Sequence, residues 1–175
     1  QHAFAALSVF RDGFDGQAAA QVAGASPPIL TRLGDQSFVN RTPTGRYDLH
    51  ALMRQYGREK LTCDPLKARR AQDAHCQYYA QFIQAQFERF QAGQQRQALD
   101  VLATELKNLR AAWGWAIEQG QYGRIEQMMG GLHTFCIERA VAEGDALFEQ
   151  AAKALQGAIV GQAEPGTQAK WLCGK

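Results

Sequence analysis

β-Branched residues are scarce in this sequence: Val, Ile and Thr together number 19 of 175, against 29 Ala and 21 Gln. Ala and Gln favour helix while β-branched side chains favour strand, so a large sheet is excluded and a mainly α fold is expected. Long apolar runs are lacking as well. No uninterrupted stretch approaches the roughly 18 to 20 residues that span a bilayer, which excludes a transmembrane helix and leaves no membrane among the expected partners. A composition 46% hydrophobic and 21% charged excludes a disordered chain. Charge of one sign is missing overall: the formal net charge is +2 and the pI about 8.4, too balanced for the whole chain to coat phosphates.

The motifs of several chemistries are absent. Cys63, Cys76, Cys136 and Cys173 form no CxxC pair and have no His at zinc-finger spacing, so reduced, cytoplasmic thiols are expected rather than a metal framework. His2, His50, His75 and His133 make no HExxH, no GxSxG elbow occurs, and no Cys stands in a nucleophile motif. No catalytic residue and no metal ligand is therefore assigned. A GxxxxGK[ST] phosphate loop is lacking, as is an apolar strand ending in paired acids for magnesium, so this chain is not expected to hydrolyse ATP by itself. The opening QHAFAALSVF has no charged segment followed by an apolar core, and no export signal is expected.

What is present divides in two. The first sixty or so residues are punctuated by Gly13, Gly16, Gly24, Pro27-Pro28, Gly34 and Gly45. They predict three short helices, a hairpin and a further helix. Phe4, Leu7 and Phe10 form the first apolar stripe, Asp15 caps a second helix, and Ser26 caps a third with Pro27 and Pro28 in its first turn and Ile29, Leu30 and Leu33 inward. Segments 37–42 and 46–50 alternate about Pro43-Thr44-Gly45, with Phe38, Tyr47 and Leu49 on the buried side or its edge. From Ala51 a helix places Leu52, Tyr56 and Leu61 on one face. That order describes a winged-helix-like unit over residues 1–62.

After Asp64-Pro65 the pattern becomes long helices. One runs from about 66 to 91 with Ala71, His75, Tyr79, Phe82, Ile83, Phe87 and Phe90 inward and Gly93 as its end. A second carries Ala98, Leu102, Leu106, Leu109, Trp113 and Ile117 and stops at Gly120; a third carries Ile125, Met128, Met129, Leu132, Phe135 and Cys136; a fourth carries Leu147, Phe148, Ala151 and Leu155. Such stripes, joined by short Gly turns, are buried by stacking antiparallel helices, so residues 63–175 predict a tetratricopeptide-like arm. Its last residues, QAKWLCGK, read as a helix just begun, and a piece of a longer polypeptide is expected.

Several ordered segments carry a family resemblance. LSVFRDGF, AAAQVAG, ILTRLGDQSFVNR and GRYDLHALMRQYGREKL resemble the winged helix that follows the nucleotide-binding domain in bacterial regulatory ATPases of the STAND class, the AfsR-like and LuxR-type relatives of NB-ARC proteins. ELKNLRAAWGWAIEQGQ and ERAVAEGDALFEQAAKAL resemble the start of the sensor arm in the same proteins, and the likeness covers residues 3–157. It implies a cytoplasmic signal-transduction switch with transcription regulation as its output. In such a switch an ADP- or ATP-binding core, with magnesium, lies upstream as partner. The arm meets an inducer or protein by protein-protein interaction.

Within that resemblance His50 matches the His of a Met-His-Asp motif that meets the β-phosphate of ADP, with Leu49 and Ala51 standing where the motif has Met and Asp. From position alone it reads equally as a cap or spacer between strand and helix. Between Arg41 and Arg70 lie eight basic residues and three acids. This patch admits packing against a nucleotide domain, a solvated face, or DNA backbone contact through Arg41 and Arg46. The last would make the chain a winged-helix DNA-binding transcription regulator, the alternative function. DNA is nevertheless an unlikely partner, because the helix that would enter the groove offers Arg32 as its only cation and also carries Asp35. Tyr78, Tyr79, Phe82, Phe87 and Phe90 have core spacing, Trp113 and Trp115 cannot share one face, and Glu105, Glu138 and Glu143 are expected on solvated or ion-paired helix faces.

Overall fold

The computed structural model describes residues 2–139 together with Phe148, Glu149 and Ala152. Among the described residues the chain is mainly helical, with seven helices and one small antiparallel sheet. Helix α1 (His2–Leu7) is short, and Phe10 continues its stripe from the turn that follows, so Phe4, Leu7 and Phe10 are all buried. Helix α2 (Gly16–Ala23) starts where Asp15 accepts from the Ala18 N–H at 2.7 Å. Helix α3 (Pro27–Asp35) begins with its prolines as expected, but Ser26 makes no side-chain cap. Only Leu30 of its apolar residues is buried, while Leu33 is half-buried and Ile29 exposed. Ile29, Leu30 and Leu33 span about 100° of the helix circumference, and the face turned inward is the one that carries Leu30.

The hairpin is smaller than the alternating segments suggested. Strands β1 (Asn40–Arg41) and β2 (Tyr47–Asp48) pair Asn40 with Asp48 and Arg41 with Tyr47. A further lane is added by Phe14, which exchanges two backbone bonds of 2.8 Å with Tyr47. Val39 and Leu49 bury beneath it, with Phe38 and Tyr47 half-buried.

Helix α4 (Ala51–Thr62) buries a different face from the one expected. Gly57 and Leu61 are buried and Met53 is partly so, whereas Leu52 and Tyr56 stand outside at 64% and 45% exposure. Four-residue steps from Met53 define the inner stripe because α4 meets α1 at Gly57. Tyr56 instead walls a groove with Phe4 and Phe38.

Helices α5 (Pro65–Gln91), α6 (Gln95–Glu118) and α7 (Tyr122–Arg139) pack against one another, and α2 and α1 lean on α5. Asp64 caps α5 by accepting from the Lys67 N–H at 3.1 Å, and Pro65 occupies its first turn. Gly93 and Gly120 terminate α5 and α6 at φ +90° and +61°, where a side chain would be strained. Ala71, His75, Tyr79, Ile83, Leu102, Leu109, Trp113, Met128, Leu132 and Phe135 are buried as their spacing required. Met129 is 37% exposed, since it directly follows the inward Met128 on α7. The apolar core runs without a break from Phe4 to Phe135. No helix among the described residues is long and apolar enough to cross a membrane. The expected fourth helix of the long-helix region lies outside the described residues except for Phe148, Glu149 and Ala152, as do Glu143, Cys173 and residues 168–172.

Candidate functional site

Where the hairpin meets the long helices, a set of polar side chains is buried. Arg46 lies between the turn and β2, so the pairing of the adjacent Tyr47 with Phe14 fixes where its side chain starts. On α6, Glu105 and Asn108 stand three apart, and on α5 His75 and Tyr79 stand four apart, so each pair shares a helix face. Arg46 Nη1 donates to Glu105 Oε1, and Arg46 Nη2 donates to the Gly13 carbonyl at 2.6 Å. Glu105 Oε2 accepts from Tyr79 Oη at 2.8 Å and from Asn108 Nδ2 at 2.9 Å. Asn108 Nδ2 also reaches the Gly13 carbonyl at 3.1 Å, while its Oδ1 accepts from the Arg11 N–H at 2.8 Å. Three segments distant in sequence therefore close on one carboxylate.

The electrostatics follow from that closure. Burial alone would weaken the hold of Arg46 on its proton, but the Glu105 carboxylate outweighs it and the net shift is upward. Tyr79 is pushed up first by burial and then by Glu105, so it stays a neutral donor. His75 is fully buried, with its ring 5.3 Å from Phe10 and 4.7 Å from Tyr79 between centroids, and neither ring nitrogen has a hydrogen-bond partner among the described residues. Desolvation lowers its pKa to about 3, and the ring is neutral at physiological pH.

His50 lies apart from this network. It is the exposed N-cap of α4, and its Nδ1 accepts from the Leu52 N–H at 3.4 Å. With Nδ1 accepting, a neutral ring carries its proton on Nε2, the nitrogen that does not bond the helix. That donor sits at the amino end of a twelve-residue helix, where the backbone dipole also favours an anion, so the residue fits a phosphate oxygen. The cap is also what position alone suggested.

Six of the eight basic residues of the stretch have individual partners. Arg46 binds Glu105 inside the molecule, Arg54 binds Asp48 at 2.8 Å, Lys67 binds Asp64 at 2.8 Å, and Arg69 approaches Asp73 at 3.9 Å. Arg58 donates to a carbonyl and Lys60 lies over the Tyr56 ring at 5.3 Å. Arg46 thus faces inward rather than out along the hairpin, where a DNA-backbone contact would need it. Trp113 is fully buried, whereas Trp115 is covered by α5, its Nε1 donating to Asp73 Oδ1 at 2.9 Å. Burial would raise the Asp73 pKa, but bonds from Trp115 and Gln121 reverse this and hold it below the ordinary value. Cys63 and Cys76 are free thiols. No group of His, Cys, Asp or Glu among the described residues is arranged to hold a metal ion.

The residues that composition and motif missed are Glu105, Asn108 and Gly13. Glu105 was expected on a solvated or ion-paired face; it is ion-paired, with Arg46, but buried at 5% exposure. A signal did exist: it falls three residues after Leu102 and four before Leu109, inside the apolar stripe of α6. Comparison of the chain with protein-family models, with curated proteins and with solved structures gives no match in any of the three.

Proposed function

We propose that this chain is the regulatory segment of a STAND-class signal-transduction ATPase. A winged-helix unit, residues 1–62, joins a tetratricopeptide-like arm, residues 63–175, to a nucleotide-binding domain elsewhere in a longer chain. The observation that carries the reading is the buried junction at Glu105, where one hairpin side chain, one loop carbonyl and two long helices are tied together. A switch that reports the state of an arm needs such a tie, because a displacement of α6 must move the hairpin and the helix that follows it. The ordered sequence motifs, the run of three short helices, hairpin and helix, and the antiparallel long helices support the same reading. In it, His50 donates from Nε2 to a phosphate oxygen of ADP held by the upstream domain. The arm offers its surface to an inducer or a protein.

The test is made in the longer protein. His50→Ala removes a hydrogen bond to a charged group, worth about 1.5–3 kcal/mol, and ADP release is expected to quicken by about tenfold or more. Unchanged release would remove His50 from the site.

A further inference from the structure

Helix α4 and the turn after α1 approach so closely at Gly57 that an added Cβ would lie 2.9 Å from Ser8 Cβ. Three arginines flank this contact, Arg11 in the turn and Arg54 and Arg58 on α4. Arg54 and Arg58 stand one turn apart on α4, on one face. Arg58 Nε donates to the Ser8 carbonyl at 3.3 Å. Arg11 follows in the same turn; its backbone N–H is fixed by Asn108 Oδ1 at 2.8 Å and its side chain is exposed. Acceptors are few. Among the described residues Asp48 Oδ1 accepts from Arg54 Nη2 at 2.8 Å, while Arg54 Nε is buried without an acceptor. The nearby Asp12 carboxylate is engaged by Lys107 at 3.0 Å. Burial, and after it the like charges of Arg11 and Arg54, lower the proton affinity of Arg58.

Like charges brought together by close packing cost stability unless an anion answers them. Guanidinium forks bind tetrahedral oxyanions through paired N–H donors from several directions. We propose that Arg11, Arg54 and Arg58 form a binding site for a small phosphate-bearing anion of two or more charges, seated where the turn after α1 meets α4. The site is independent of the regulatory reading, since it uses neither His50 nor any upstream domain.

Inorganic pyrophosphate is titrated into the full chain by calorimetry at constant ionic strength, with melting temperature followed in parallel. Saturable one-site binding and a raised melting temperature are expected. R11Q and R58Q should each weaken binding at least about tenfold, or about 1.4 kcal/mol. R96Q makes the same charge change on the exposed start of α6 and should alter it less than about twofold. Should R58Q fold poorly, R11Q at the more exposed edge carries the comparison. Absence of saturable binding, equal weakening by R96Q and R58Q, or duplex DNA engaging these arginines where pyrophosphate does not, would each overturn the proposal.

Discussion

Glu105 shows how much one side chain decides. Its carboxylate is buried and satisfied by Arg46, Tyr79 and Asn108, so removing it leaves a guanidinium, a phenol and an amide partly unpaired. Glu105→Ala is expected to cost about 3–5 kcal/mol in chemical denaturation, the usual penalty for stranding one partner of a buried ion pair. A loss below about 1 kcal/mol would mean that water reaches the site. His75 sets a pH dependence. Its folded pKa, about 3, lies below the unfolded 6.5, so the unfolded chain binds the extra proton and stability falls as pH drops from about 6.5 towards 3. His75→Leu should flatten that part of the urea midpoint profile relative to wild type; parallel profiles would contradict the assignment. Neither residue's partners could be read from sequence. The pattern marked His75 as inward but placed Glu105 on a solvated or ion-paired face, and a contact such as Arg46 to Glu105, 59 residues apart, depends on tertiary closure.

At the scale of elements, glycine decides which helix faces meet. A Cβ on Gly131 would lie 2.6 Å from Ile83 Cγ1 and 3.1 Å from the Ile83 carbonyl, so α7 approaches α5 there more closely than alanine allows. Gly→Ala inside a helix ordinarily gains about 1 kcal/mol, and overpacking costs about 1–3 kcal/mol. Because a backbone atom is among those struck, the cost wins, and Gly131→Ala is expected to lower the unfolding free energy by about 1–2 kcal/mol. An unchanged or raised value would show that the helices slide apart freely. Helix order, the two short turns between the long helices and most of the α5, α6 and α7 stripes were legible because three- and four-residue periodicity and Gly punctuation are local. The face of α4 was not. Leu52 and Tyr56 satisfy the same periodicity as Met53, Gly57 and Leu61, and only the approach of α1 at Gly57 selects between them. The third lane at Phe14 was equally hidden, because backbone pairing leaves no mark on side-chain type.

Across the whole molecule, the front helices and the long helices share one core. Phe10 packs edge-on to His75 at 5.3 Å and to Tyr79 at 6.4 Å, and α2 lies on α5. Unfolding followed by tryptophan fluorescence in a Trp171→Phe background, where Trp113 and Trp115 on α6 are the reporters, should therefore coincide with far-ultraviolet circular dichroism, which reports every helix. Two separated transitions would mean that the front unit melts alone. The functional assignment needs this continuity, since a lever must not yield at its middle. The proposed role of His50 rests on the family resemblance, whereas the junction at Glu105 emerges only from packing. The most direct measurement is the ADP dissociation rate of the longer protein carrying Glu105→Gln, a change that keeps the side chain's size and leaves His50 untouched. Release several-fold faster than wild type is expected if the junction transmits the state of the arm. An unaltered rate in a variant shown to be less stable would reduce Glu105 to a structural contact and contradict the coupling.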